Sequence, residues 1–142
     1  MSIDLTTAQS IVTEALTAGH EQGFKPLTVV VLDAGGHLVA AARQDGASNN
    51  RFEIAHGKAY GALALGMGSR ALMQRAEDQA YFIAAATAAL GGRLIPVPGG
   101  VLIRDQDDTL QGAVGISGDS SDNDETAASK AIHGAGLKAQ IA

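Results

Sequence analysis

The chain has no cysteine and no tryptophan, only three prolines, and aromatic residues at 4% of its 142 positions. Without cysteine there are no disulfides, thiolate metal sites, iron–sulfur clusters or cysteine nucleophiles. With so few rings, the core must be filled by small residues, and 27 alanines and 18 glycines supply them. Such a composition favours close backbone packing, tight helix contacts and oligomer seams. Long apolar runs are also missing. The nearest, Ala80 to Leu90, falls short of the roughly 18 residues that a membrane-spanning helix needs. Ten Lys and Arg stand against fifteen Asp and Glu, giving a net charge of -5, and the cations are scattered, so nucleic acid is not an expected partner. Met1 to Gly23 carries Asp4, Glu14, His20 and Glu21 and has no continuous apolar core. It does not read as a secretion signal, and the expected location is the cytoplasm.

What is present is one domain's length of alternating patterns, read as a single domain over residues 1–142. Thr6-Thr7-Ala8-Gln9 has the form of a capping box, and Ala8, Ile11, Val12, Ala15, Leu16 and Gly19 follow at helical spacing until Gly23. Leu27 to Leu32 is rich in β-branched residues, Asp33 to Gly36 is turn chemistry, and Leu38 to Arg43 completes a β-hairpin. A polar loop, Gln44 to Asn50, leads into a helix expected from about Arg51 to Gly66. Ser69 caps a second helical stretch to about Leu90, with a break near Glu77 to Gln79. Arg93 to Val97 reads as an edge strand or an irregular approach because of its proline. Pro98-Gly99-Gly100 forces a turn into a second hairpin, Val101 to Arg104 with Leu110 to Ser117. Gly112 and Gly115 mark a bulge or a close backbone approach. Ser121 to Gln140 is expected to close the chain as a helix. Two hairpins separated by helices require antiparallel pairing, so the fold class is α+β, with a sheet of about five strands flanked by helices.

Three segments carry a family resemblance: Leu27-Thr28-Val29-Val30-Val31-Leu32-Asp33-Ala34-Gly35-Gly36-His37-Leu38, Pro96-Val97-Pro98-Gly99-Gly100-Val101-Leu102-Ile103, and Gly112-Ala113-Val114-Gly115-Ile116-Ser117-Gly118 followed by Asp122-Asn123-Asp124-Glu125. Together they resemble the GlcG/HbpS family. It includes haem-binding proteins and the C-terminal domain of PduO-type cobalamin adenosyltransferases. Where the family commonly reads Gly-Gly-x-Pro-Ile, this chain has Gly99-Gly100-Val101-Leu102-Ile103, and Asn123-Asp124-Glu125 replaces its Gln-Asp-Glu. The resemblance implies a profilin-like fold in α/β/α layers, a homo-oligomer, and haem or a related tetrapyrrole as ligand. A further similarity, to hydroxylaminobenzoate lyases, implies the alternative of a cofactor-independent lyase or isomerase acting on a small carboxylated aromatic compound.

The residues themselves offer a site framed by Pro98, Gly99, Gly100, Lys58, Ser117 at the end of the Gly115 to Gly118 strand, and Glu125. Lys58 shares a helix face with Ile54, Gly61, Ala62 and Leu65, where its amine is either desolvated, and so a base, an imine former or a partner for a carboxylate, or carried out to solvent on its stem. Glu125 stands at the first turn of the last helix, either as a charge favoured by the helix dipole or as a carboxylate facing a ligand, Lys58 or an arginine. In a lyase these two would share proton transfer. The glycines before that helix suggest a phosphate loop, but Asp119, Asp122, Asp124 and Glu125 oppose it, and the cluster reads as a solvated helix start. No histidine pair has zinc spacing, and no protein-held metal is expected. Among single histidines, His56, sharing a face with Phe52, Tyr60 and Leu63, and His37 are the candidates for ligating haem iron, each also readable as an ordinary surface or packing residue. Arg43, Arg51 and Arg93 stand at element ends, suited to carboxylates or propionates and equally to surface salt bridges.

Overall fold

In a computed structural model that describes residues 2–142, five helices and five strands follow the order α1 (Leu5–Glu21), β1 (Thr28–Asp33), β2 (Leu38–Arg43), α2 (Arg51–Leu65), α3 (Ser69–Asp78), α4 (Ala80–Ala89), β3 (Gly100–Arg104), β4 (Leu110–Ser117), α5 (Ser121–Gly134) and β5 (Lys138–Gln140). The strands form one sheet in the order β2-β1-β4-β3-β5. Every neighbouring pair is antiparallel. The α+β class and both hairpins agree with the sequence reading.

Val29 to Leu32 of β1 is an unbroken apolar run because the strand is internal to the sheet and covered on both faces. Val29 and Val31 point to a core shared with α1 and α5, where Ile11, Ala15, Val114, Ile116, Ala128 and Ile132 pack. Val30 and Leu32 point the other way, to Ala55, Ala59 and Ala62 of α2. Helices on both faces of the sheet give the expected α/β/α layering. The small residues set the spacing of the α2 layer. A Cβ added to Gly115 would overlap the Ala55 carbonyl oxygen, so only glycine lets α2 lie this close to β4. The expected close approach is thus real at Gly115. The expected bulge lies in β4 beside Gly112: Ile103 pairs with Gly112 and Arg104 with Leu110, which leaves Gln111 as the extra residue.

Three local expectations are corrected. The cap of α1 is Asp4, whose carboxylate accepts from the Thr7 amide at 2.8 Å, so the helix begins before the Thr6–Gln9 box. Ser69 does not cap α3, since Gly68 occupies that position. The Ser69 hydroxyl is buried and accepts from the Gly100 amide at 2.7 Å, fastening α3 to the start of β3. Of the two readings of Arg93 to Val97, the irregular approach holds, and no strand forms there. The final helix stops at Gly134, and Lys138–Gln140 becomes β5 on the free edge of β3. Gly136, at φ 76°, makes that turn in the left-handed region that glycine tolerates.

Candidate functional site

Two turns of α2 separate Arg51 from Lys58, which places both on the side of the helix that meets the end of β4. Arg51 donates to the Ser117 hydroxyl at 3.0 Å. Lys58 is 2% exposed, and its ammonium donates to the Ile116 carbonyl at 2.9 Å and to the Asp124 carboxylate at 3.2 Å. The sequence left the lysine head between solvent and interior, and the fold puts it inside. Burial lowers the Lys58 pKa, opposed by the attraction of Asp124, while burial raises the pKa of Asp124, opposed by Lys58. Asp124 also accepts from the Asp119 amide at 3.0 Å, so one carboxylate ties the lysine to the first turn of α5.

Pro98, Gly99 and Gly100 are buried against this pair. A Cβ at Gly99 would lie 2.9 Å from the Lys58 ammonium and 2.8 Å from the Ile116 carbonyl oxygen, and Gly99 adopts φ 123°. The Pro-Gly-Gly turn is therefore shaped by the lysine that it covers. Glu125 is the neighbour of Asp124 but takes a different partner. Its carboxylate accepts from the Arg70 Nε at 3.0 Å and from Arg70 Nη2 at 3.1 Å, and Asp122 joins the same guanidinium. These carboxylates raise the Arg70 pKa and clamp α3 to α5.

The remaining candidates lie elsewhere. Phe52, His56 and Tyr60 recur every fourth residue of α2, and their rings stack with centroids 5.8 and 5.5 Å apart. The Arg93 guanidinium sits 4.2 Å from the Tyr60 ring centroid. Partial burial and the charge of Arg93 lower the His56 pKa, which favours the neutral imidazole. Arg43, on the outer strand β2, donates to the Ala47 carbonyl. His37 is exposed and pairs with Asp33 across its own turn.

The sequence reading thus brought together two groups that the fold separates: a polar nexus of Arg51, Lys58, Gly99, Gly100 and Ser117, in which Lys58 is sealed, and an outer ladder of Phe52, His56, Tyr60 and Arg93. It missed the roles of Asp124 and Arg70. Asp124 precedes the buried Ala127, Ala128 and Ala131 by three, four and seven residues, a spacing that does place it on the inward face of α5. Arg70 gave no signal in the sequence.

A model of haem-degrading HbpS-like proteins matches residues 3–133. The chain belongs to the HbpS-like family. No curated protein matches it in sequence at a significant level. Solved structures share its fold. A PduOC–haem complex superposes with a TM-score of 0.82 at 24% identity, covering 94% of each chain. Protein ORFY of Klebsiella pneumoniae gives 0.84 at 24% identity, over 94% of this chain and 90% of that one. A double mutant of HbpS from Streptomyces reticuli gives 0.78 at 22% identity, over 94% and 86%. Within the HbpS-like fold, the second β-hairpin and the start of α5 carry the nexus, while the outer side of α2 carries the ladder.

Proposed function

We propose that the protein binds haem or a related tetrapyrrole on the outer side of α2, and the observation that carries this reading is the Phe52–His56–Tyr60 ladder with Arg93 beside it. The donor set suits the group. His56 is held between two rings and biased toward the neutral form that ligates iron. The flanking rings offer apolar π surface to a flat macrocycle, and the Arg93 guanidinium offers a partner to a propionate carboxylate. Bound haem would supply redox and oxygen chemistry that no side chain of this chain provides. The protein's part would be to orient the macrocycle with Phe52 and Tyr60, hold the iron with His56 and fix the propionate edge with Arg93. Membership in the HbpS-like family supports the ligand class.

Titration of the purified protein with hemin tests this directly. A red-shifted Soret band saturating near one hemin per chain is expected, weakened at least tenfold in His56→Ala and severalfold in Arg93→Met, with unchanged far-ultraviolet circular dichroism. No Soret change in the wild type, or equal binding by His56→Ala, would overturn the assignment. A lyase reading built on Lys58 and Glu125 meets a lysine closed among Gly99, Ile116 and Asp124 and a glutamate held by Arg70. No proton transfer is assigned to that pair.

We also propose that the chain associates with copies of itself through α4. The helix AYFIAAATAA has no charged residue, yet only Ile83 is buried, and Ala80, Tyr81, Ala84, Ala85, Ala88 and Ala89 face outward in two adjacent rows. An outer helix face without charge is unusual on a chain of net charge -5. Sedimentation is expected to show a species larger than 14.4 kDa that Ala85→Glu dissociates. A single 14.4 kDa species in the wild type at micromolar concentration would refute self-association.

A further inference from the structure

The loop before α2, the residues leading into β1 and the residue after β4 line an open cleft of about 220 Å³ formed by Lys25, Pro26, Gly46, Ala47, Ser48, Arg51 and Gly118. We infer that this cleft is a subsite for the carboxylate of a small organic acid, with Arg51 and Lys25 as its cationic partners and Ser48 as a hydroxyl donor. The site is separate from the haem reading, which uses the opposite flank of the same helix.

Three observations converge on it. The first is charge: two cations face one cavity on an acidic chain, and Arg43 is drawn to the same loop by its bond to the Ala47 carbonyl at 2.9 Å. Arg51 uses one guanidinium N–H on Ser117 and retains others. Asp119, which also attracts the Lys25 charge, is engaged by its own turn. It accepts from the amides of Lys25 and Ser120, each at 2.8 Å, and from the Asn123 side chain at 2.8 Å, so its oxygens face their own donors.

The second observation is an orphaned hydroxyl. Among the described residues, Thr28 Oγ1 is the buried side-chain oxygen or nitrogen without a hydrogen-bond partner. Thr28 is 1% exposed and stands directly opposite both Arg43 of β2 and Ser117 of β4. Strand alternation puts it on the face that α2 covers, since the next residue, Val29, belongs to the α1 and α5 side. Arg43, Thr28 and Ser117 therefore form a polar row across three strands at the Arg51 end of the sheet. Buried hydroxyls are ordinarily paired, and this open one stands behind the cleft, in the strand row that ends on Ser117, the residue that Arg51 bonds.

The third is the helix start. Asn50, the residue before α2, makes no capping bond with its side chain, so of the first-turn amides of this 15-residue helix the Arg51 N–H donates to the Ser48 carbonyl at 3.2 Å and the next ones lack a side-chain cap. A carboxylate suits a planar, fork-shaped donor better than a spherical anion does. The cavity exceeds the needs of a bare ion, and Pro26, Ala47, Gly46 and Gly118 give it apolar walls for a short carbon body. Its volume lies below the roughly 300–1,000 Å³ of sites for drug-sized ligands, which limits that body to a few carbons and excludes haem itself.

The test is titration of the ¹⁵N-labelled full-length protein with sodium butyrate, n-butanol and inorganic phosphate at constant ionic strength. Butyrate is expected to give saturable amide shifts centred on Lys25, Ser48, Arg51 and Gly118. Binding should weaken at least tenfold in Arg51→Met and stay unchanged in Arg93→Met, while butanol gives no saturable shift. Equal affinity for butanol, tighter binding of phosphate than of butyrate, retention in Arg51→Met, or no saturable shift in the wild type would each overturn the assignment. Arg51→Lys, which keeps the charge and loses the fork, should recover only part of the affinity, and full recovery would refute bidentate binding. Because hemin binding is read by its Soret band, failure of one site is distinguishable from failure of the other.

Discussion

Lys58 and Asp124 make opposite and testable contributions to the pH dependence of stability. Lys58→Met leaves a 1% exposed carboxylate without its cation, and Asp124→Asn leaves a 2% exposed ammonium without its anion. Removing one partner of a buried pair costs about 3–5 kcal/mol. For a chain of this size that corresponds to a fall of roughly 10–15 °C in melting temperature. The signs of the pH slopes differ. Asp124 already has its pKa raised by burial, and loss of Lys58 raises it further, so the folded state of Lys58→Met holds a proton that the unfolded chain releases. Stability of that variant is therefore greatest below the unfolded value of 3.8 and falls as pH rises through the folded pKa. Lys58 has its pKa lowered by burial, and loss of Asp124 lowers it further. In Asp124→Asn the unfolded chain holds the extra proton, so stability rises with pH from the folded pKa up to the unfolded value of 10.5. Each slope is limited to about 1.4 kcal/mol per pH unit. Asparagine keeps the oxygen that accepts from the Asp119 amide, so the double variant Lys58→Met/Asp124→Asn should recover most of the lost stability and flatten the slope. Urea unfolding between pH 4 and pH 10 reads all three. Parallel slopes in the two single variants, or a double variant as unstable as either, would show that the pair is not the coupled, desolvated unit described.

Three further outcomes follow from particular contacts. Gly115→Ala drives a Cβ into the Ala55 carbonyl oxygen and must push α2 from the sheet, a loss of about 1–3 kcal/mol measured by urea unfolding; an unchanged midpoint would refute the close approach. Thr28→Val replaces the orphaned hydroxyl with a methyl of similar shape, and in the absence of any added anion should raise stability by about 1 kcal/mol; a loss of that size would mean that the hydroxyl is satisfied. Asp119, held at about 2 by the Lys25 and Ser120 amides and Asn123, contributes stability that is present above the unfolded value of 3.8 and lost as pH falls toward 2. Asp119→Asn should remove that part of the acid sensitivity, as seen by thermal melts across this range.

Local chemistry determined much of the fold. β-branched runs closed by Asp33–Gly36 and by Asp105–Thr109 commit the chain to two antiparallel hairpins, because such short connections reach only an adjacent strand. The i, i+4 spacing of Phe52, His56 and Tyr60 likewise determined that one face of α2 would be aromatic. The sequence reading carried the last helix on to Gln140, past the stop at Gly134 and without the strand beyond it. Lys138–Gln140 is extended because β3 has an unpaired edge to fill, and no property of those three residues states that. The sheet order, which puts β1 beside β4, also depends on how two distant hairpins dock.

The candidate site shows the same division. Sequence established that Lys58 lies on α2 and that Asp122, Asp124 and Glu125 crowd the first turn of α5. It did not decide which carboxylate meets the lysine. Successive residues of a helix point about 100° apart, so the angle at which α5 packs on the sheet selects Asp124 for Lys58 and turns Glu125 to Arg70. The same packing seals Lys58 under Gly99 and leaves Arg51, two turns earlier on the same helix, at the wall of an open cleft. Burial and pairing are properties of where elements meet, and only the tertiary structure holds that information.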